Sequence, residues 1–154
     1  MRKTTPTRIS WSGNRRPHHV TLGLLAVALC ACGGKTFVVG EFDATQLQSR
    51  AAVQQHDGIR VMAAVTSPAE AEAIFGLPMY EKGVQPVWLR IENNSSEGLR
   101  YAPVSTDREY FAPLEISYVN RGSFSKESRL PMDRHFYNLA IPRHVAAGES
   151  ISGF

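Results

Sequence analysis

Apolar side chains alternate with polar ones over several short stretches and step by threes and fours over two others. Gly58–Thr66 puts Ile59, Val61, Ala63 and Val65 on one side and Arg60, Met62, Ala64 and Thr66 on the other. A period of two predicts a strand with two distinct faces. Gly83–Glu92 repeats the arrangement, with Val87, Leu89 and Ile91 opposed to Trp88, Arg90 and Glu92. Asn93–Gly98 is a polar turn cluster, and Leu99–Val104 returns with Leu99 and Tyr101 on one face. Residues 83–104 therefore read as a hairpin, with Pro103 placing its second strand at an edge or a bulge. Leu114–Val119 alternates again, Leu114, Ile116 and Tyr118 against Glu115, Ser117 and Val119, and predicts a further strand ended by Asn120-Arg121-Gly122.

Two segments carry helix signals. Ser67-Pro68-Ala69-Glu70 offers a capping serine, a proline at the first helical position and the glutamate of a capping box. Gly76 and Pro78 stop that helix early, leaving Ala71, Ile74 and Phe75 to face a core. Ser125–Ala140 gathers Leu130, Met132, Phe136, Leu139 and Ala140 at helical spacing. Pro131 is harmless there if Ser128 is the cap; a start at Lys126 predicts a kink. Pro142 closes the helix. Ala146–Ser150 is a turn, and Ile151 opens another strand. The sequence stops at Phe154, on that strand's first step, which predicts a fragment with the sheet one or more strands short.

Residues 32–57 are polar and weakly periodic. They predict a tether, with a short strand at Thr36–Val39 or a turn of helix at Gln46–Gln55. The N-terminal part is more specific. Residues 1–19 hold Arg2, Lys3, Arg8, Arg15 and Arg16 and no acid, and an apolar run of about 12 residues follows at Val20–Ala31. A basic start and a core of that length describe an export signal, whereas a spanning helix needs about 20 residues. Leu29-Cys30-Ala31-Cys32 resembles the bacterial lipobox, in which the cysteine is acylated and becomes the new N-terminus. Cys32 fits that role better than Cys30, which would have the bulky Leu29 directly before the cut. A plain signal peptide and an uncleaved N-terminal helix are the competing readings. The pair Arg15-Arg16 lacks the apolar flank of a twin-arginine signal, since Pro17-His18-His19 follows it. Gly33 stands where an acid would retain a lipoprotein in the inner membrane, so the outer membrane is the default address.

Charge changes sign with this cut. The whole chain carries 17 Lys+Arg against 14 Asp+Glu. Five of the basic residues lie in 1–31, leaving 12 basic and 14 acidic residues and a net of −2. No clustered positive face remains to suggest nucleic acid. One cysteine remains too, and it would be acylated, so the domain is expected to hold together without a disulfide.

Chemistry-bearing residues are sparse. His56, His135 and His144, with Asp133, match no metal-ligand spacing, and a zinc site needs three or four converging ligands. Gly148-Glu149-Ser150-Ile151-Ser152-Gly153 lacks the second glycine of a nucleophile elbow and follows a turn rather than a strand. Glu70 and Glu72 suit the dipole of a helix start better than a catalytic pair. No catalytic residue, metal site or cofactor is predicted. Trp88, Tyr101, Tyr110, Phe111, Tyr118, Phe136 and Tyr137 exceed what a core requires. The alternation puts Trp88 on the polar face of its strand, where an exposed ring would make it a partner contact; the competing expectation is that helix 125–140 covers it.

The run Gln85–Asn94, the return Leu99–Val104 and the Gly148-Glu149-Ser150 turn resemble immunoglobulin-like β-sandwich modules of bacterial envelope lipoproteins. Phe75-Gly76, Tyr80–Leu89 and Tyr110–Glu115 are similar to the front portion of lipoproteins of which some continue into a domain named after the secretion-associated protein LssY. The resemblance spans residues 58–154 and implies no catalytic residues. The expectation is an α+β domain: a mainly antiparallel, immunoglobulin-like β-sandwich with two inserted helices. Its expected role is a non-enzymatic binding or assembly module, lipid-anchored on the periplasmic side of the envelope, with the membrane and an envelope protein as partners. The rival expectation is an accessory domain of an envelope enzyme whose catalytic part lies beyond residue 154.

Overall fold

The computed structural model describes residues 34–154. The expected signal peptide 1–31 and the lipidation residue Cys32 lie outside the described residues. The architecture is α+β, built on one four-stranded antiparallel sheet. In chain order, α1 is Ala44–Ser49, β1 Ala52–His56, β2 Ile59–Val65, α2 Pro68–Phe75 and β3 Val87–Asn93. Then come β4 Leu99–Arg100, α3 Pro103–Thr106, α4 Pro113–Asn120, α5 Lys126–Leu139, β5 His144–Val145 and β6 Ser150–Gly153. The sheet order is β1-β2-β3-β6, and β4 and β5 form a separate two-stranded ribbon.

Register explains how the two faces are filled. Ala64 stands opposite Trp88, and Val61 opposite Ile91, which in turn faces Ile151. One face carries Met62, Ala64 and Trp88, which share a core cluster with Phe75 of α2 and Met132 and Phe136 of α5. The other face carries Ile91 and Ile151, which pack with Val145 of the ribbon and with Ile141; Leu99 and Tyr101 close on the same cluster. The sheet thus lies between a helical layer and a small β-ribbon. Both faces bury apolar surface, the main stabilising term for a fold whose described residues contain no cysteine.

Helix starts follow the residues that supply caps. Ser67 accepts from the Glu70 N–H, and Glu70 accepts from the Ser67 N–H at 2.7 Å, completing the predicted capping box. Gly76 ends α2 at φ 62°. A methyl group there would meet the Val38 carbonyl oxygen and stand 2.9 Å from the Phe37 ring, so glycine is required both for conformation and for space. Helix α5 starts at Lys126 with Ser125 as cap and runs across Pro131, the second of the two starts the sequence allowed.

Several expectations are corrected. The expected tether 32–57 is part of the folded unit from residue 34 onward: β1 pairs along its length with β2, and Leu47 of α1 is buried in the helix-side core. The expected hairpin 83–104 does not form. β4 is two residues long and pairs with β5, Leu99 opposite Val145, while β3 takes β6 as its neighbour. Pro103 opens α3 instead of breaking a strand. Leu114–Val119 is helix, not strand. Pro113 sits in its first turn, the Glu115 carboxylate accepts from the Ala112 N–H at 3.0 Å, and Ile116 and Ser117 are the residues it buries. Leu130 lies on the outer face of α5, 65 % exposed, rather than in the core. Trp88 is 2 % exposed, because the helical layer covers the face that alternation marked as polar.

Candidate functional site

A cleft of about 410 Å³ opens at the end of the sheet where β3 begins. One wall is the connection from α2 to β3. Leu77 and Met79 are buried, Gly83 takes a left-handed φ of 73°, and Pro86 and Val87 lead into the strand. The other wall is the segment from Tyr101 to Ile116. Its shape comes from local hydrogen bonds. The Asp107 N–H donates to the Pro103 carbonyl at 2.9 Å, and the Asp107 carboxylate accepts from the Glu109 N–H at 2.9 Å. That turn sets Tyr110 and Phe111 facing the cleft, and Pro113 then starts α4.

The cleft lies where the two core clusters converge. Phe75, Met79, Ile116 and Phe154 reach it from the helical side, Leu89 and Tyr101 from the ribbon side. Its polar groups are few. The Tyr101 phenol is pushed above its ordinary value by burial, against a hydrogen bond from Thr106 that pulls it down. The Tyr110 phenol is raised by burial and, to a lesser extent, by the neighbouring Tyr101, with Arg143 opposing and Glu115 adding to the rise. Both phenols are therefore neutral near pH 7 and serve as hydrogen-bonding edges on apolar rings. Asp107 and Glu109 supply the carboxylates of the lining, at exposed positions. Apolar walls with a few oriented polar groups are the usual make-up of a small-molecule site, and this volume lies within the usual range.

Residues weighed for chemistry from sequence are not brought together. His56 lies on β1 with Nε2 3.0 Å from the Asp57 carboxylate, both side chains almost fully exposed. His135 on α5 donates from Nε2 to the Ile74 carbonyl at 2.6 Å, which ties α5 to α2. His144 lies on β5 of the ribbon. Asp133 accepts from Ser117 Oγ at 2.6 Å and lies 3.5 Å from Arg121, so it joins α5 to α4. Ser152 stands opposite Arg90 within the sheet. Among the described residues no group of three or more His, Cys, Asp or Glu is placed to hold a metal. Trp88 is enclosed in the core, the competing expectation for it. Tyr101, Tyr110 and Phe111, three of the surplus aromatics of the sequence, line the cleft. The signal that marks them is the density of aromatic and proline residues in the otherwise polar run 101–113.

Among the described residues no helix is long and apolar enough to cross a membrane. The chain matches no family model, no curated protein and no solved structure.

Proposed function

We propose that the chain is a membrane-anchored lipoprotein of the bacterial envelope, tethered through Cys32 on the periplasmic side, with a non-enzymatic binding module as its folded part. The cleft at the start of β3 carries the binding half of this reading: it is apolar, open and lined by side chains suited to contact and orientation. Leu29-Cys30-Ala31-Cys32, placed after a short apolar core and a basic start, supports the anchor. One diacylglycerol and one further acyl chain give stable attachment, because each buried methylene contributes about 0.8 kcal/mol. Gly33 after the cysteine favours the outer membrane over the inner. The packing of β4–β5 against Ile91 and Ile151 supports reading the ribbon as the smaller sheet of an immunoglobulin-like sandwich; a crystal structure with the ribbon detached from those residues would remove that support.

The test of the anchor is metabolic labelling of the full chain in a bacterial host with a palmitate analogue, beside Cys32→Ser. The parent is expected to incorporate label and to sediment with membranes, and the variant to do neither. Equal labelling of both would overturn the reading.

A further inference from the structure

We propose that the cleft takes an organic cation, a quaternary or methylated ammonium group on an apolar body; this assignment rests on the binding reading above and names its ligand class. Three observations combine. First, Tyr101, Tyr110 and Phe111 line one wall of a single cavity. Electron-rich ring faces attract a cation, and tyrosine keeps this property while its phenol stays protonated. Second, the charged side chains of the lining among the described residues, Asp107 and Glu109, are both acidic; Arg143 stands outside that lining, close enough to act on the Tyr110 phenol. The two carboxylates in the lining outnumber the one guanidinium beside it, so a cation gains net attraction there and an anionic ligand does not. Third, the floor is apolar: Phe75, Met79, Leu89, Ile116 and Phe154. Gln85 and Thr106 are the remaining polar side chains of the lining, and the floor itself suits methyl groups and a hydrocarbon body.

A primary ammonium would have to give up strong hydration to enter such walls. A methylated one is poorly hydrated and presents methyl groups to the rings, so desolvation costs less and the attraction of the aromatic faces remains. The position of the acids also fits. Both are exposed at the rim, so they raise the local cation concentration and are not themselves buried unpaired.

The test uses the full chain in a non-ionic detergent and a pair of water-soluble probes of one shape: choline and its uncharged carbon isostere 3,3-dimethyl-1-butanol. Binding is read from tyrosine ring resonances on titration. Choline is expected to bind about tenfold tighter than the alcohol, and Tyr110→Leu to remove most of that difference, in line with the strength of partly desolvated cation–ring contacts. Asp107→Asn with Glu109→Gln is expected to weaken choline several-fold and leave the alcohol unchanged. Equal binding of the two probes would overturn the cation assignment and leave the binding reading standing. Binding of choline untouched by Tyr110→Leu would overturn the assignment of this cleft. Failure of both probes to shift Tyr101 or Tyr110 in a folded protein would sink the inference and the cleft's role together.

Discussion

Asn93 at the end of β3 donates through Nδ2 to the carbonyl oxygen of Val145 at 3.2 Å, 52 residues further along the chain. The same nitrogen reaches the carbonyls of Ala146 at 3.0 Å and Glu97 at 2.7 Å. Its Oδ1 accepts from Ser95 N–H at 3.1 Å and from Ser95 Oγ at 2.7 Å. One fully buried side chain therefore closes the 93–98 turn and fastens the turn between β5 and β6 to the sheet. It explains why β4 finds β5 rather than β3: the turn is bent towards the ribbon and held there.

Replacing Asn93 tests that role. Asn93→Ala removes a buried donor from three carbonyls, of which Ala146 keeps the Glu149 N–H and Glu97 the Ser95 hydroxyl, and is expected to cost about 2 kcal/mol in denaturant unfolding. Asn93→Asp keeps the shape but aims a carboxylate at carbonyl oxygens. The folded state then favours the protonated form, so the introduced group's folded pKa is raised. The deficit should be smallest below about pH 4 and grow as pH rises through the raised folded value. A pH-independent deficit would show that Asn93 acts only by filling space.

Glu70 should govern the acid side of the stability curve. Its carboxylate accepts from Arg50 at 2.8 Å and 2.7 Å and from the Ser67 N–H at 2.7 Å. The Arg50 guanidinium first, and then Ser67, hold its pKa down at about 2, from an ordinary value of 4.5. A depressed folded pKa gives stability that is complete above 4.5 and is lost as pH falls towards 2. Melting temperatures of parent and Glu70→Gln should therefore converge over that range and stay apart above it. Ser67→Ala, which removes the cap, is expected to cost about 1 kcal/mol.

Trp88 is a core residue by position, and its loss should be felt in stability. Trp88→Ala is expected to cost about 3–5 kcal/mol, the range for deleting a large buried aromatic ring. A surface partner contact at this position would instead leave unfolding almost unchanged.

Leu47 decides where the folded domain starts. It is 2 % exposed in α1 and packs into the helix-side core. Leu47→Ala is expected to cost about 2–4 kcal/mol by loss of buried apolar contact. A neutral result would return residues 34–57 to the role of spacer.

What the sequence made legible was local. Ser67, Pro68 and Glu70 state a helix start in four residues, and β2 and β3 alternate long enough to show both faces. What it concealed depends on partners distant in the chain. Pro113, Ile116 and Ser117 form a helical stripe that six alternating residues mimic, because a run so short satisfies either period. Trp88 and Arg90 look alike in the alternation, yet the first joins the core cluster that holds Phe75 and Phe136 while the second pairs with Glu92 at 2.9 Å. β1 has no buried residue of its own, so no apolar pattern announces it; it exists through its ladder with β2. The cleft was visible only as a surplus of rings in 101–113, since its other wall comes from 79–89.

The most direct measurement is the intact mass of the native polypeptide extracted from bacterial membranes. A chain beginning at Cys32 and heavier by a diacylglycerol and an acyl group would establish a surface-moored binding domain. An unmodified mass that still includes Met1, recovered from the soluble fraction, would contradict it.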